Sequence, residues 1–391
     1  MKKQLMTVAA CGGALLLALT GCGAPAESDA PAAAGLTGSG TGADCVIDVD
    51  VPIAATFSLT GAAAQYGAGQ KNALEMAVED LNKVGGVTYK LTVEDDQTDP
   101  KQAIQVFESF VNSGASIIVG PTLSNTAKQT DPVAQDGKTP VLGVSNTAAG
   151  ITDIGDYIFR DSLTEDAVIP QTVKAAVDKL DVKKVVVMYS NDDAFTESGY
   201  QAFAEALKDE GVAIADTITF SKADTDFHAL LDTVKKSNAD AIVVSGLIDA
   251  AVPLVTQARE IGIDTPIIGG NGFNSPALIK AAGAAAEGVI VGAAWNSASD
   301  NEQNVKFLKD YQAKFSAAPD QFSAQAYAGM QIIDHAVRSE CSGEREAIKK
   351  GLGEIKDVPT VLGDVTLNEN RDAVHDALVQ VVKDGKFALL K

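Results

Sequence analysis

From Val46 onward, apolar runs of strand type alternate with stretches whose apolar residues recur at helical spacing. Strands are predicted over residues 49–57, 89–94, 116–120 and 140–144, then over 184–189, 213–219, 241–245, 266–269 and 288–292. Between them, residues 69–84 bring Ala73, Ala77, Leu81 and Val84 to one helix face, and residues 101–113 do the same with Ile104, Phe107 and Val111. Further helices are predicted over 165–180, 195–210, 226–237 and 250–261. After Trp295 the pattern turns helical, over 302–315, 321–339 and 344–351, and a short β-like tail covers 377–382. Ile117-Ile118-Val119 and Val185-Val186-Val187 are apolar without alternation, as strands covered on both faces are. Strand–helix alternation of this kind predicts an α/β fold of doubly wound parallel sheets. The 346 residues from Val46 to Lys391 exceed one comfortable core and predict two lobes. The first series of units ends near Arg160, and a second starts at Glu165.

The N-terminal residues read differently. Lys2 and Lys3 precede an apolar stretch that is too short to span a bilayer, which takes ~20 apolar residues. The shape is that of a secretory signal peptide over residues 1–21. It ends in Leu19-Thr20-Gly21-Cys22, which resembles the bacterial lipobox. That resemblance implies a diacylglyceryl group on Cys22, with Cys22 as the new N-terminus. Residues 22–44 are almost entirely Ala, Gly, Pro, Ser, Thr and acids, and cannot bury enough apolar area to offset their ordering entropy. They read as a flexible tether reaching roughly 25 Å from a membrane.

The formal net charge is −21, and loss of Lys2 and Lys3 takes it to −23. No Lys/Arg cluster exists to hold a phosphate backbone, so no nucleic-acid partner is expected. Of the four cysteines, Cys11 leaves with the signal and Cys22 is the acyl acceptor. Cys45 and Cys341 remain, an even pair in an oxidising compartment, and a disulfide between them is expected. Neither has metal-type spacing, and His228, His335 and His375 are scattered. No metal site and no cofactor are expected.

Enzyme motifs are missing. Gly143-Val144-Ser145-Asn146-Thr147 lacks the last glycine of a nucleophile elbow, and no phosphate-binding GxxxxGK[ST] loop or HExxH occurs. Polar loops at strand ends are the better signal. The strand over 116–120 runs into Pro121-Thr122-Leu123-Ser124-Asn125, a hydroxyl-rich helix start. Free N–H groups and the helix dipole favour an anion there, although Ser124 or Asn125 also suits a simple cap. The next strand ends in Ser145-Asn146-Thr147-Ala148. Consecutive parallel units place these two loops at the same sheet edge, where ligands bind.

Phe57-Ser58-Leu59-Thr60-Gly61, Gln65-Tyr66-Gly67, Ala77-Val78-Glu79-Asp80-Leu81-Asn82 with Gly85-Gly86, and Glu94-Asp95-Asp96 before Asp99-Pro100 together resemble the branched-chain amino acid binding proteins. These are type I periplasmic binding proteins of ABC transporters. The resemblance covers the body from about Val46 and is strongest before residue 200. It implies two lobes closing on a solute like a jaw, with three hinge crossings. Lobe 1 is then 46–163 plus 297–363, and lobe 2 is 164–296 plus 364–391. It implies that Ser124 binds the ligand carboxylate, that Ser145 offers backbone atoms, and that Thr147 binds carboxylate and ammonium. Tyr66 lines the pocket from lobe 1. Phe195 and Leu247 fall near pocket aromatics of lobe 2, and Phe195 equally suits a core position.

One position departs from that pattern. The family's amino-acid binders usually carry an acid in the loop matched by Gly269-Gly270-Asn271-Gly272, and here Asn271 stands in its place. An amide cannot neutralise a buried ammonium. Asp249 is the candidate substitute; otherwise the solute need not be an α-amino acid, and relatives of this fold bind urea, short amides and aromatic acids. The implied partners are a small-molecule solute, an ABC permease and the membrane through the lipid. The alternative is a sensing subunit docked on a signalling receptor. A monomer is expected.

Overall fold

The computed structural model describes residues 35–390. The signal peptide, Cys22 and the first part of the tether lie outside the described residues. Two parallel sheets form two lobes. The first has five strands in the order Tyr89–Asp95, Val51–Phe57, Ile117–Val119, Val141–Gly143, Ile158–Arg160. The second has seven. Five run parallel, in the order Ile290–Ala293, Ile267–Gly269, Ala241–Ser245, Lys184–Ser190, Ala213–Phe220. The antiparallel hairpin of Leu378–Lys383 and Lys386–Leu389 extends the Ile290–Ala293 edge.

The local causes are ordinary. Asp99, Thr164 and Asp193 each cap the helix that follows by accepting a backbone N–H, and Pro100 opens its helix at a position where no donor is needed. Asp320 and Ser323 form a reciprocal cap for Gln321–Glu340. Ile117, Ile118 and Val119 are fully buried, each worth ~1.5–3 kcal/mol in removal from water. The helix Ala64–Val84 crosses the end of the first strand so closely that a Cβ on Gly67 would sit 2.0 Å from the Ser58 carbonyl oxygen. Glycine at 67 is what lets the preceding residue, Tyr66, reach across the cleft.

The chain passes between the lobes three times, and the three passages pack on each other. Leu163 from the first, Ala294 from the second and Ala377 from the third form one small apolar cluster with Val168. The third passage falls later than expected. Residues 364–374 stay with lobe 1: Gly363–Leu367 pairs with Val358–Thr360 and with Ala373–Val374. Val365, Leu367 and Ala373 belong to the lobe 1 core. Arg371 holds them there by donating to the Ile158 and Thr152 carbonyls. These short, half-exposed strands carry too little apolar periodicity to be read beforehand.

The tether expectation also needs correction at its end. Ser39 pairs with Val46, Thr37 bridges to Ser342, and the Gly38 N–H donates to the Cys341 carbonyl. Residues 35–44 are therefore bonded to the body despite their composition. Cys45 and Cys341 are joined by a disulfide with Cα atoms 5.3 Å apart. It staples the first segment to the C-terminus of the helix Gln321–Glu340.

A disulfide between residues 296 apart removes a large loop entropy from the unfolded chain. The Cys45→Ser/Cys341→Ser double variant should lose about 2–4 kcal/mol in urea unfolding. An unchanged midpoint would show that the cross-link adds nothing.

Candidate functional site

The C-terminal ends of the lobe 1 strands deliver two loops to the cleft. Ser124 begins the helix Ser124–Asp136, and its Oγ accepts the Ala148 N–H at 3.3 Å. That leaves its proton free to be donated. Asn146 donates to the Pro121 carbonyl, tying the loops together a second time. Arg160, almost wholly buried, holds the second loop from behind. Its Nη1 donates to the carbonyls of Asn146 and Ala148, on either side of Thr147, and its Nε pairs with Asp372 at 2.6 Å.

Six of the seven expected residues line one narrow cavity between the lobes. Tyr66, Ser124 and Ser145 face it from lobe 1, and Phe195, Leu247 and Asn271 from lobe 2. Its volume is about 20 Å³, and residues of both lobes meet around it. Thr147 stands just outside these walls, buried, with its hydroxyl lacking a hydrogen-bond partner. Phe195 is almost fully buried and stands on the cavity wall. A wider cavity of about 490 Å³ continues outward past Tyr66 and Leu247. Asp249 lines that outer space and is exposed, so it does not replace the missing acid in the inner cavity.

Two expected residues spend their hydroxyls on the fold. Ser145 Oγ donates to the Thr122 carbonyl and accepts from Gln70 Nε2 at 2.7 Å. This leaves its backbone for a ligand. The Tyr66 hydroxyl donates to the Gly272 carbonyl and accepts the Ile248 N–H, both at 2.8 Å and both in lobe 2. Burial pushes this phenol well above its ordinary range, so it stays protonated as the bridge requires. Its ring packs on Phe322 at 4.6 Å.

Asn271 is oriented by a chain of bonds. The Ala294 backbone N–H donates to Gln321 Oε1, which also accepts from Asn274. A backbone donor cannot be reversed, so Gln321 must turn its Nε2 toward Asn271, whose Oδ1 accepts at 2.7 Å. The amide NH₂ of Asn271 is the end left for the cavity. Two acids also lie near. Asp193 lines the cavity but is committed, its Oδ1 capping Phe195 and Thr196 and its Oδ2 4.0 Å from Lys222. Burial raises its carboxyl. Glu165, the first residue of the helix Glu165–Leu180, is fully buried beside Thr147 and the Asn271 backbone N–H. Burial pushes its carboxyl up to about 7.

A family profile described as periplasmic binding protein matches residues 50–386. The chain belongs to the periplasmic binding protein family. It is 27% identical over 337 residues to the Leu/Ile/Val-binding protein BraC3 of Rhizobium johnstonii, covering 83% of this chain and 89% of that protein. It is 26% identical to the Leu/Ile/Val-binding protein of Escherichia coli over 83% of this chain and 88% of the relative. Among solved structures, the branched-chain amino acid transporter substrate-binding protein LivJ of Streptococcus pneumoniae, in complex with isoleucine, superposes with a TM-score of 0.82. The two are 28% identical, and the match covers 87% of this chain and 98% of that one. A solute-binding protein of R. palustris in complex with benzoate shares the fold, with a TM-score of 0.80 at 20% identity, over 88% of this chain and 96% of that one.

In this periplasmic binding protein, sequence reasoning missed the amide of Gln321, the amide of Gln70 and the acid Glu165. Each sits on a helix and reads as an ordinary helical polar residue. Only the contact across elements distinguishes them.

The Tyr66 bridge joins the lobes, and Tyr66→Phe would leave a buried N–H and a buried carbonyl without it, at about 1–3 kcal/mol. The variant should shift the jaw toward open forms, read as a longer interlobe distance between spin labels placed one on each lobe. Identical distance distributions in both proteins would show that the bridge does not hold the jaw.

Proposed function

We propose that the protein is the extracytoplasmic solute-binding component of an ABC importer, taking a branched-chain amino acid or a similar small molecule with one polar and one apolar end. One arrangement carries the reading. The free hydroxyl of Ser124, at a helix N-terminus, and the apolar side chains of Phe195 and Leu247 wall the same interlobe cavity. A carboxylate suits the first, through the N-terminal N–H groups and dipole. An aliphatic or aromatic body suits the second. The relatives whose names include leucine, isoleucine and valine support this choice, and the benzoate-bound neighbour keeps aromatic acids within reach.

Binding makes and breaks no bond. A solute that touches both lobes stabilises the closed jaw by its differential affinity for that form, and the permease recognises the closed jaw. Among the described residues no helix is long and apolar enough to cross a membrane. We assign attachment to a lipid on Cys22, with the monomeric body held near the membrane by the residues that follow. A sensing subunit would use the same jaw; it is told apart by a signalling partner in place of a permease.

Melting curves across branched-chain amino acids, amides, urea and aromatic acids test the ligand class. The true ligand at a hundred times its Kd should stabilise by ~2.7 kcal/mol, and a flat response to the whole panel would refute the reading. Ser124→Ala should weaken the bound solute roughly ten- to a hundred-fold by titration calorimetry, because a hydrogen bond to a charged group is worth ~1.5–3 kcal/mol. Unchanged affinity with a lowered melting temperature would reduce Ser124 to a structural role. Cys22→Ala should move the protein from the membrane fraction to the soluble one; retention in the membrane would show another anchor.

A further inference from the structure

Position 271 lacks the acid that would meet an ammonium, yet an acid lies beside it. Glu165 enters from the first residue of its helix, immediately after the first hinge passage. Its backbone N–H donates to the Thr147 carbonyl at 3.0 Å, which locks it to the binding loop of lobe 1. Its carboxyl lies beside the Thr147 side chain and the backbone N–H of Asn271. The residue is 1% exposed, and Oε2 has no hydrogen-bond partner.

Capping does not account for this. An acid in the first helical turn gains from the dipole at the surface, but Thr164 already caps this helix, and full burial of a carboxylate costs more than the dipole returns. Two more acceptors are left open in the same place. Thr147 Oγ1, whose hydroxyl lies against the Glu165 carboxyl, and Ser245 Oγ are both buried and accept no hydrogen bond. Gly199, on the neighbouring helix Ala194–Asp209, lets that helix pack closely on these groups: a Cβ there would come 2.4 Å from Ser245 Oγ and 3.4 Å from Glu165 Oε2. Gly270 packs on the other side, its Cβ position lying 3.8 Å from the same oxygen. A carboxylate and two hydroxyls match the three N–H donors of a primary ammonium. The Asn271 amide, whose oxygen already accepts from Gln321, contributes no charge.

We propose that Glu165 supplies the negative charge for the ligand's ammonium, making the solute an α-amino acid although Asn271 stands at the usual acidic position. This deepens the reading of the interlobe cleft as a solute site and rests on it. Burial holds the carboxyl near neutral-pH titration, and an arriving cation draws it to the charged form. Arg160, which holds the neighbouring loop, favours the same charged form.

The test is titration calorimetry with L-leucine and with 4-methylpentanoate, its analogue without the amino group, on wild type, Glu165→Gln and Glu165→Asp. Wild type should prefer leucine. Glu165→Gln should lose leucine affinity about a hundredfold or more while keeping 4-methylpentanoate within a few-fold, since only the charge is removed. Glu165→Asp, which keeps the charge but withdraws it, should show a smaller loss for leucine alone and serves if the glutamine variant does not fold. Leucine affinity unchanged in both variants would overturn the proposal and leave the solute-binding reading standing. So would a wild type that binds 4-methylpentanoate or benzoate in preference to leucine. A wild type that binds none of these and gives a flat response to the whole panel above would overturn both.

Discussion

The buried guanidinium of Arg160 ties the binding loop of lobe 1 to the segment that leads to the third passage. It ends the last strand of the lobe 1 parallel sheet, shortly before the chain leaves for lobe 2. It fixes the carbonyls that flank Thr147, and it pairs with Asp372 on the segment that leads to the third passage. A guanidinium offers five donors in a rigid plane, so one side chain can hold a loop, a strand end and a distant tail in fixed relation. Its burial is tolerable because the charge is paired with Asp372 and Nη1 is fully used on two carbonyls; an unpaired charge in that position would be costly. The binding loop is thus positioned by the same group that anchors the hinge.

From that anchor the rest follows in order. The two loops of lobe 1 are tied by Asn146 and Ser124, and the network of Gln70, Thr122 and Ser145 stiffens them from below. Across the cleft, Gln321 sets Asn271 and Asn274, and Tyr66 clasps Gly272 and Ile248. Buried polar atoms without partners occur at several places among the described residues, Asp161 and Gln325 included, and one group of them lies at the cleft. Ser124 keeps a proton to give, and Thr147, Glu165 and Ser245 keep acceptors. Buried polar atoms are ordinarily satisfied, and the group at the cleft is the one that stands beside the binding loop of lobe 1.

Much of this was legible in the residues. The unbroken apolar runs at Ile117 and Val185 announce covered parallel strands, and helices such as Glu165–Leu180 and Glu302–Phe315 fall where their periodicity places them. The hydroxyl-rich strand ends at Ser124 and Thr147 point to one sheet edge. What stayed hidden depends on contacts between distant segments. No local pattern tells that Gln321 faces Asn271, that residues 364–374 return to lobe 1, or that the glycine-rich segment before Cys45 pairs with the body. Glu165 is hidden for a related reason: an acid at a helix start is common, and only its burial beside Thr147 sets it apart.

The account stands on a solute held between the lobes at the Ser124 and Thr147 loops. A crystal structure of the mature protein grown with saturating L-leucine tests that most directly. The account predicts density for the amino acid in the inner cavity, its carboxylate within hydrogen-bond distance of Ser124 Oγ and its aliphatic end against Phe195 and Leu247. Leucine bound elsewhere, or a cleft that stays shut and unoccupied at that concentration, would contradict it.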